Sequence, residues 1–230
     1  MNVFVAHIES GTAVLNEQES LHCAKVLRMK TGEEIELIDG KGNFYKGKLS
    51  KVGQKNCVAQ IISGPVIQPK RNYYLHLAIA PTKQIDRVEW MVEKAVETGI
   101  DEITFIKCKN SERVKINLER IQKITESAVK QSLQAFIPRI NGLINFAEMM
   151  NVKTEMKLIA HCHEGKKSNL KEINFKNKSV LILIGPEGDF NPEEITLALQ
   201  NNFTGVNLGN NRLRTETAGL YVCQTLSILT

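Results

Sequence analysis

Cysteine is scarce in this 230-residue chain, and the cysteines that are present form no recognisable framework. The five residues, Cys23, Cys57, Cys108, Cys162 and Cys223, are far apart, odd in number and include no C-x-x-C pair. Closely spaced cysteines would indicate a disulfide-stapled secreted domain or a zinc site, and this pattern favours neither. We therefore expect reduced, mostly buried thiols and a cytoplasmic location.

Long hydrophobic runs are also missing. No apolar stretch approaches the roughly 20 residues that cross a bilayer, and residues 1–7 lack the pattern of a signal peptide. The formal net charge is mildly basic at +5. Such a balance permits an anionic partner such as RNA without requiring one. We expect no membrane partner.

The first part of the chain has the character of a small β-barrel. Its strands are predicted at residues 3–5, 33–40, 43–49 and 57–62, with one helix at about 17–27. Short strands separated by glycine turns are typical of small barrels. Glycine and proline residues at 63–70 predict a boundary, which gives a first domain of residues 1–68.

The second domain, residues 72–230, alternates strands with helices. Strands are predicted at 75–80, 102–106, 157–160, 181–184 and 205–208, and helices at 86–98, 118–133, 145–150, from 192, and at 215–229. This alternation predicts an α/β domain with a mostly parallel sheet covered by helices.

One stretch of this domain, residues 181–194, reads as strand, tight loop and helix. Apolar residues stop at a Gly-Pro-x-Gly turn, and Asn191, Pro192 and Glu194 have the residue types and spacing of a capped helix start. A second unit follows at 208–219, where two arginines occupy a loop and Thr215 can cap the last helix. Ligands bind at the carboxyl ends of parallel strands, so two such loops predict a pocket.

The chemistry of the first loop argues against a phosphate ligand. It contains Glu187 and Asp189, no lysine or arginine, and neither of the glycine-rich phosphate-binding motifs. Carboxylates repel phosphate in a partly dry site. A ligand without phosphate, which could be cationic, suits the loop better.

The run His161-Cys162-His163-Glu164 suggests a metal site at first reading. Two histidines on one face of a strand could begin such a site, but no third and fourth ligand is evident. We therefore expect no metal, and expect the run to line the ligand pocket or a subunit interface.

Taken together, the motifs of the two loops resemble those of the bacterial 16S rRNA uridine-N3 methyltransferases of the SPOUT class. The resemblance covers nearly the whole chain. It includes Gly-Pro-Glu-Gly at 185–188 followed by Phe190 and Glu194, Leu-Gly at 208–209, Arg-Leu-Arg-Thr-Glu-Thr-Ala at 212–218, Val-Leu-Arg at 26–28 with Gly32, Asp-Gly-x-Gly at 39–42, Lys83, Asp-Arg at 86–87, Glu-Lys-Ala-x-Glu-x-Gly at 93–99, Ser-Glu-Arg at 111–113 and Gln-Ser at 131–132. Each motif is weak alone, but the ordered set is specific.

The resemblance implies a fold and an activity. Residues 1–68 would form a PUA-like, RNA-binding barrel, and residues 72–230 a SPOUT methyltransferase domain with a deep trefoil knot, a feature otherwise essentially absent from proteins. The implied cofactor is S-adenosylmethionine, and the implied reaction is methylation of N3 of one uridine in 16S rRNA. The implied partners are 16S rRNA or the 30S subunit, and a second copy of the chain in a homodimer.

The same resemblance assigns residues to the site. For catalysis we expect Arg214 as the electrostatic contact at the target uridine, and Glu216 as a base, an orienting group or merely a helix-capping residue. Cofactor binding is assigned to Ile184, Gly185, Pro186, Glu187, Gly188, Leu208, Gly209, Leu213, Thr217, Ala218 and His161. Contacts to RNA are expected on the basis of charge, not of the resemblance, for Arg28, Lys83, Arg87, Arg113 and Arg139, with Lys30 and Lys130 as further candidates, since together they could follow a phosphate backbone.

Two positions depart from the family pattern. The family often has glycine where this chain has Asp189, which we interpret as a tolerated variation. It often has Gly-Arg after Gln-Ser, where this chain has Leu133 and Gln134, so one basic group is missing. The alternatives that stay open are a SPOUT enzyme acting on another RNA such as tRNA, and a non-catalytic RNA-binding assembly factor of the same fold. A generic nucleotide-binding enzyme is disfavoured by the acidic loop.

Overall fold

The computed structural model describes residues 3–230, which divide into two compact units. Residues up to 70 form the first unit together with 126–137, and residues 71–125 form the second with 138–230. The sequence predicted domains of 1–68 and 72–230, and nothing in its pattern indicated that 126–137 belongs with the first. Met1 and Asn2, the start of the segment compared with signal peptides, lie outside the described residues.

The first unit contains a closed five-stranded barrel, as predicted. Its strands are β1 (Val3–Glu9), β2 (Thr12–Leu15), β3 (Glu34–Ile38), β4 (Asn43–Lys51) and β5 (Val58–Ile67), in the order β1-β2-β5-β4-β3. The inward-facing side chains of these strands fill the core, including Phe4, Leu37 and Ala59. The short strand β2 was not predicted. It has four residues and begins after a turn at Ser10 and Gly11, both of which have positive φ.

Two details of the barrel differ from the prediction. The helix expected at 17–27 is α1 (Glu17–Leu21), which Asn16 caps, followed by a π-helical turn over His22–Val26. The boundary expected at 63–70 is partly strand, since β5 continues to Ile67. It does so through a bulge at Gly64 and Pro65, where a residue without an N–H is tolerated in a ladder.

The motif Asp-Gly-x-Gly at 39–42 has a packing explanation within this unit. Gly40 and Gly42 have φ values of 74° and 103°, which glycine adopts without strain. A side chain on Gly42 would overlap the Phe136 ring, and one on Gly40 would approach Ile137 to 2.9 Å. Gly42 N–H donates to the Ala135 carbonyl at 2.9 Å, and Ile137 N–H donates to the Gly40 carbonyl at 3.0 Å. The glycines therefore allow 126–137 to pack on the β3–β4 turn.

The second unit is built on a seven-stranded sheet in which every pairing is parallel. Its strands are β6 (Tyr74–Ile79), β7 (Glu102–Lys107), β8 (Arg139–Asn145), β9 (Met156–Ala160), β10 (Ser168–Asn169), β11 (Ser179–Ile184) and β12 (Thr204–Asn207), in the order β10-β12-β9-β11-β6-β7-β8. The mostly parallel sheet is thus confirmed. The edge strands β8 and β10 were not predicted, since β8 contains Asn and Gly and β10 has two residues.

The helices agree closely with the predicted periodicity. They are α2 (Ile85–Glu97), α3 (Leu118–Gln131), α4 (Pro192–Gln200) and α5 (Thr215–Leu229), and the short helix expected at 145–150 is a 3-10 helix, Phe146–Asn151. A further 3-10 turn covers Leu170–Glu172. Among residues 3–230, none of the helices has the length and apolar character needed to traverse a bilayer.

The strand order determines where polar loops meet. β12, β9 and β11 are neighbours in the sheet, although β10, β11 and two helical segments separate β9 from β12 in the chain. Because all three run parallel, the loops that follow them lie at the same edge of the sheet. Ligands bind at such edges in open α/β folds.

Candidate functional site

A cavity of about 540 Å³ lies at the carboxyl ends of β9, β11 and β12. Each strand contributes the loop that follows it: the first loop is 185–191, after β11; the second is 161–167, after β9; the third is 208–214, after β12. The residues that line the cavity are Ala160, His161, Cys162, Lys167, Ile184, Gly185, Pro186, Glu187, Asp189, Val206, Asn207, Leu208, Gly209, Asn210, Asn211, Arg212, Leu213, Arg214, Thr215 and Ala218.

The first loop is shaped by the packing of Phe190. This side chain is 0% exposed and packs against Phe146 with ring centroids 5.4 Å apart. A Cβ on Gly185 would lie 3.1 Å from the Phe190 ring, so a side chain there would have to displace the ring by a few tenths of an ångström. The helix start is as predicted: Glu194 N–H donates to the Asn191 side chain at 2.7 Å, and Asn191 N–H donates to the Glu194 carboxylate at 2.9 Å. The loop is thus fixed at both ends.

The third loop is joined to the first by a threonine. Thr215 was expected to cap α5, and this is wrong: Arg214 occupies the N-cap position and Thr215 is the first helical residue. The Thr215 hydroxyl instead donates to the Gly185 carbonyl at 3.1 Å. A buried carbonyl at a tight turn needs a donor, and the hydroxyl supplies it. The contact links the two loops identified from sequence.

The second loop contributes His161 and Cys162, which belong to the run expected to line the pocket or an interface, and Lys167, which the sequence did not indicate. The Lys167 ammonium donates to the carbonyls of His161 at 3.1 Å and His163 at 2.8 Å, which holds the loop in a curve. Gly205 of β12 leaves room for the imidazole, since a Cβ there would lie 3.2 Å from His161 Nε2. For Lys167 the available signal was position, since it lies in the loop after a predicted buried strand.

The His161 imidazole is suited to contact a ligand. Its Nδ1 is buried without a hydrogen-bond partner among the described residues. Burial, followed by the nearby Lys167 ammonium, lowers the pKa of His161 from its ordinary value. The ring is therefore neutral at physiological pH, and one buried nitrogen is available for a hydrogen bond from or to a bound molecule.

Acidic groups face the cavity, as predicted from the first loop. Glu187 accepts a hydrogen bond from Lys83 N–H at 2.9 Å, and Asp189 accepts one from Cys162 N–H at 2.7 Å. Within residues 3–230 the structure contains no group of three or more His, Cys, Asp or Glu side chains that could hold a metal ion. Both carboxylates thus accept backbone N–H groups from other loops, and the cavity lining also contains the cations Lys167, Arg212 and Arg214.

Most residues assigned to the cofactor are brought together. Ile184, Gly185, Pro186, Glu187, Leu208, Gly209, Leu213, Ala218 and His161 all line the cavity, as does Arg214. Gly188 and Thr217 do not: the Gly188 carbonyl accepts from the Asn110 amide at 3.2 Å, and Thr217 is exposed on α5. Their assignment stays a prediction.

Arg214 and Glu216 lie in different surroundings. Arg214 is exposed at the cavity, whereas Glu216 is 7% exposed and does not line it. One Glu216 oxygen is 3.6 Å from Arg87 Nη1, and the other is buried with no hydrogen-bond partner in the described part of the chain. The geometry favours an orienting role for Glu216, between α5 and α2, over direct contact with a substrate.

Three of the cations assigned to RNA are engaged within the second unit. The Arg113 guanidinium donates to the Thr82 carbonyl at 2.9 Å and to the Lys83 carbonyl, so it tethers the loop after β6. The Lys83 ammonium is 2.9 Å from the Glu112 carboxylate, and this exposed pair remains accessible to solvent. Arg87 is paired with Glu216 as described above.

The remaining cations differ in availability. Arg139 is 74% exposed and 3.9 Å from Glu102, and Arg28 is exposed in the left-handed region at φ 54°. Lys130 forms an ion pair with the buried carboxylate of Glu19 inside the first unit, so it is poorly placed to contact a phosphate. Of the five assigned residues, Arg28, Lys83 and Arg139 are thus exposed, and among these three Lys83 is held at short range by a carboxylate.

Comparison with known proteins agrees with this architecture. A family model described as "RNA methyltransferase domain" matches residues 69–227, and one described as "RNA methyltransferase PUA domain" matches 15–62. The ribosomal RNA small subunit methyltransferase E of Mesomycoplasma hyopneumoniae is 31% identical over 208 residues, covering 88% of each chain. That of Rickettsia conorii is 26% identical and covers 96% of this chain and 91% of the relative.

Solved structures give the same result. A probable rRNA-methyltransferase from Porphyromonas gingivalis is 39% identical, covers 100% of this chain and 98% of its own, and superposes with a TM-score of 0.89. The ribosomal RNA small subunit methyltransferase E of Neisseria gonorrhoeae, bound to S-adenosyl methionine, is 27% identical with a TM-score of 0.85, covering 100% and 98%. The resemblance seen in the sequence is confirmed, and the chain belongs to the RNA methyltransferase family that includes the bacterial ribosomal RNA small subunit methyltransferases E.

Proposed function

We propose that this protein transfers a methyl group from S-adenosylmethionine to N3 of a uridine in 16S rRNA. The observation that carries the proposal is the cavity at the ends of β9, β11 and β12, whose first loop is acidic and has no phosphate-binding motif. The relatives support it, since their names specify methylation of small-subunit ribosomal RNA and one of them binds S-adenosyl methionine.

The residues of the cavity fit this cofactor. Its volume of about 540 Å³ falls within the range of about 300–1,000 Å³ typical of small-molecule sites. The cofactor carries a sulfonium and no phosphate, which suits Glu187 and Asp189, and the unpartnered His161 nitrogen offers it a polar contact. Ile184, Gly185, Pro186, Leu208, Gly209, Leu213 and Ala218 would form the remaining walls. When bound, the cofactor supplies an electrophilic methyl group.

The protein's own contribution is to position groups and stabilise charge. The uridine must lose its N3 proton, so negative charge develops on the uracil ring. The exposed Arg214 guanidinium, at the edge of the cavity, would stabilise this charge. Glu216, paired with Arg87, would hold the start of α5, and with it Arg214, in place. We assign no residue as the base.

We further propose that RNA contacts involve Arg28 of the barrel and Arg139 of the second unit. Each removal of a phosphate contact lowers the slope of log affinity against log salt by about 1. Arg28→Ala and Arg139→Ala are each expected to show this loss, and Arg113→Ala is not, because its guanidinium is bound to backbone carbonyls. Binding to 16S rRNA, measured by fluorescence anisotropy from about 50 to about 200 mM salt, tests the prediction.

Two outcomes would contradict this assignment. A salt response that is flat for the unchanged protein would exclude a phosphate-dominated interface. If the slope of log affinity against log salt falls in Arg113→Ala but in neither of the other variants, the exposed cations have been misassigned.

The resemblance supports four finer proposals. The protein would act as a homodimer, and Ile228, 81% exposed near the end of α5, is the kind of apolar side chain that a partner could cover. The chain after β9 would pass through a trefoil knot. The substrate would be 16S rRNA or the assembled 30S subunit, and the reaction would take place in the cytoplasm. Light scattering after gel filtration tests the homodimer.

The central test combines binding with product analysis. Titration calorimetry should show binding of S-adenosylmethionine, and incubation with 30S subunits from cells lacking the protein should produce 3-methyluridine, detected by mass spectrometry of digested 16S rRNA. Binding without methylation of any RNA would favour a non-catalytic assembly factor. Methylation of tRNA but not of 16S rRNA would favour a related SPOUT enzyme.

A further inference from the structure

Asp189 has an unusual conformation beside the cavity. Its φ is 62°, in the left-handed region that glycine adopts without strain and that aspartate occupies less readily. Its side chain is 15% exposed, and its own N–H donates to the Pro186 carbonyl at 2.9 Å, closing the turn. Glycine would adopt this φ with less strain, so the backbone conformation alone does not require a carboxylate.

The carboxylate of Asp189 has two backbone donors. Cys162 N–H, from the loop after β9, donates to one oxygen at 2.7 Å. Phe190 N–H, from the loop after β11, donates to the other at 2.8 Å. Hydrogen bonds to an ionised acceptor are among the stronger ones in proteins. The side chain thus connects two loops that approach the cavity from neighbouring strands.

A histidine completes this connection. His163 Nε2 lies 2.9 Å from the Phe190 carbonyl and 3.9 Å from an Asp189 oxygen. On the other side of the same loop, Lys167 holds the His161 and His163 carbonyls. His161, whose buried Nδ1 has no partner among the described residues, directly precedes Cys162, and its own carbonyl is one of the two that Lys167 binds. Its position therefore depends on both attachments.

We infer that Asp189 is a positioning residue for cofactor binding: its carboxylate fastens the 161–163 loop to the 185–190 loop and so holds one wall of the cavity in its binding shape. The inference rests on the proposed function, because it names the cofactor as the ligand of that wall. Loops that are already ordered lose less conformational freedom on binding, which strengthens affinity.

The test compares three substitutions. Asp189→Gly relieves the left-handed φ but removes both hydrogen bonds. Asp189→Asn keeps the shape and one acceptor oxygen. Asn202→Gly is the matched control, because Asn202 is exposed, has a φ of 66° and lies outside the cavity. If backbone strain alone mattered, Asp189→Gly would be neutral or favourable, as Asn202→Gly is expected to be.

Titration calorimetry with S-adenosylmethionine gives the first readout. We expect Asp189→Gly to weaken binding about tenfold or more, Asp189→Asn about threefold, and Asn202→Gly not at all, consistent with the loss of charged hydrogen bonds. In turnover assays the KM for the cofactor should rise in Asp189→Gly while kcat at saturating cofactor changes less than about twofold. Equal affinity of Asp189→Gly and the unchanged protein would overturn the inference.

Hydrogen exchange of the Cys162 amide, measured by NMR without any ligand, gives the second readout. The amide should be protected in the unchanged protein and should exchange about tenfold faster or more in Asp189→Gly, since its acceptor is gone. Unchanged protection would overturn the inference. Should the unchanged protein fail to bind the cofactor, the proposed function fails, while the exchange result still decides whether the two loops are joined through Asp189.

Discussion

Replacing Arg214 with alanine is expected to lower methylation at saturating cofactor by about 100-fold or more, while changing the affinity for S-adenosylmethionine less than about threefold. Removing one group that stabilises charge in the transition state typically has an effect of this size. Arg214 is exposed at the edge of the cavity, where an incoming base can reach it, and the cavity walls are mostly formed by other residues. Single-turnover methylation and calorimetry measure the two quantities separately.

Two neighbouring substitutions serve as controls for Arg214. Arg214→Lys keeps the charge but loses the planar, multi-donor guanidinium, so it should restore only part of the rate. Arg212→Ala removes a second exposed cation of the same loop and should lower the rate by less than about tenfold. An Arg214→Ala variant with undiminished turnover would show that the charge on uracil is stabilised elsewhere.

Replacing Phe190 with alanine is expected to destabilise the second unit by about 3–5 kcal/mol, the usual range for a fully buried phenylalanine. The ring is 0% exposed, packs against Phe146 and contacts the turn at Gly185. A loss of this size is a large part of the roughly 5–15 kcal/mol that stabilises typical domains. Urea unfolding followed by the fluorescence of Trp90, the single tryptophan, reports on the same unit.

Two matched substitutions test whether the loss of stability in Phe190→Ala comes from the loss of buried volume. Phe190→Leu retains much of the buried volume and should cost less than Phe190→Ala. Leu199→Ala removes an exposed side chain on the adjacent helix α4 and should change the free energy of unfolding by less than about 0.5 kcal/mol. A Phe190→Ala variant less than about 1 kcal/mol below the unchanged protein would mean that the first loop tolerates a cavity.

Much of the site could be predicted because its signals are local. The start of α4 follows from three residues, Asn191, Pro192 and Glu194, whose hydrogen bonds form within one helical turn. The absence of a phosphate-binding motif follows from residue types alone. The family motifs at 185–188 and 208–209 identified two of the three loops, and both line the cavity.

Other features of the site were not predicted from the sequence, because they depend on contacts between distant parts of the chain. Thr215 has the residue type of a helix cap, yet its hydroxyl bonds the Gly185 carbonyl, thirty residues away in sequence. Arg113 looked like an exposed RNA contact, yet its guanidinium holds the loop after β6. A hydrogen-bond acceptor that is distant in sequence does not change residue spacing or periodicity. Side-chain partners of this kind therefore cannot be predicted from one sequence.

The sequence by itself determined the two-part organisation, the barrel, the parallel α/β sheet, the family and the acidic character of the first loop. These properties follow from periodicity, turn residues and motifs, and each of these signals involves residues that are close together in the sequence. Only the tertiary structure decided that β9 lies between β12 and β11, that residues 126–137 pack with the barrel, that Glu216 pairs with Arg87, and that Asp189 joins two loops. The physical reason is that strand order and side-chain pairing depend on the packing of the whole core. Many arrangements of strands satisfy the same local sequence pattern, and the native one buries the apolar side chains most completely.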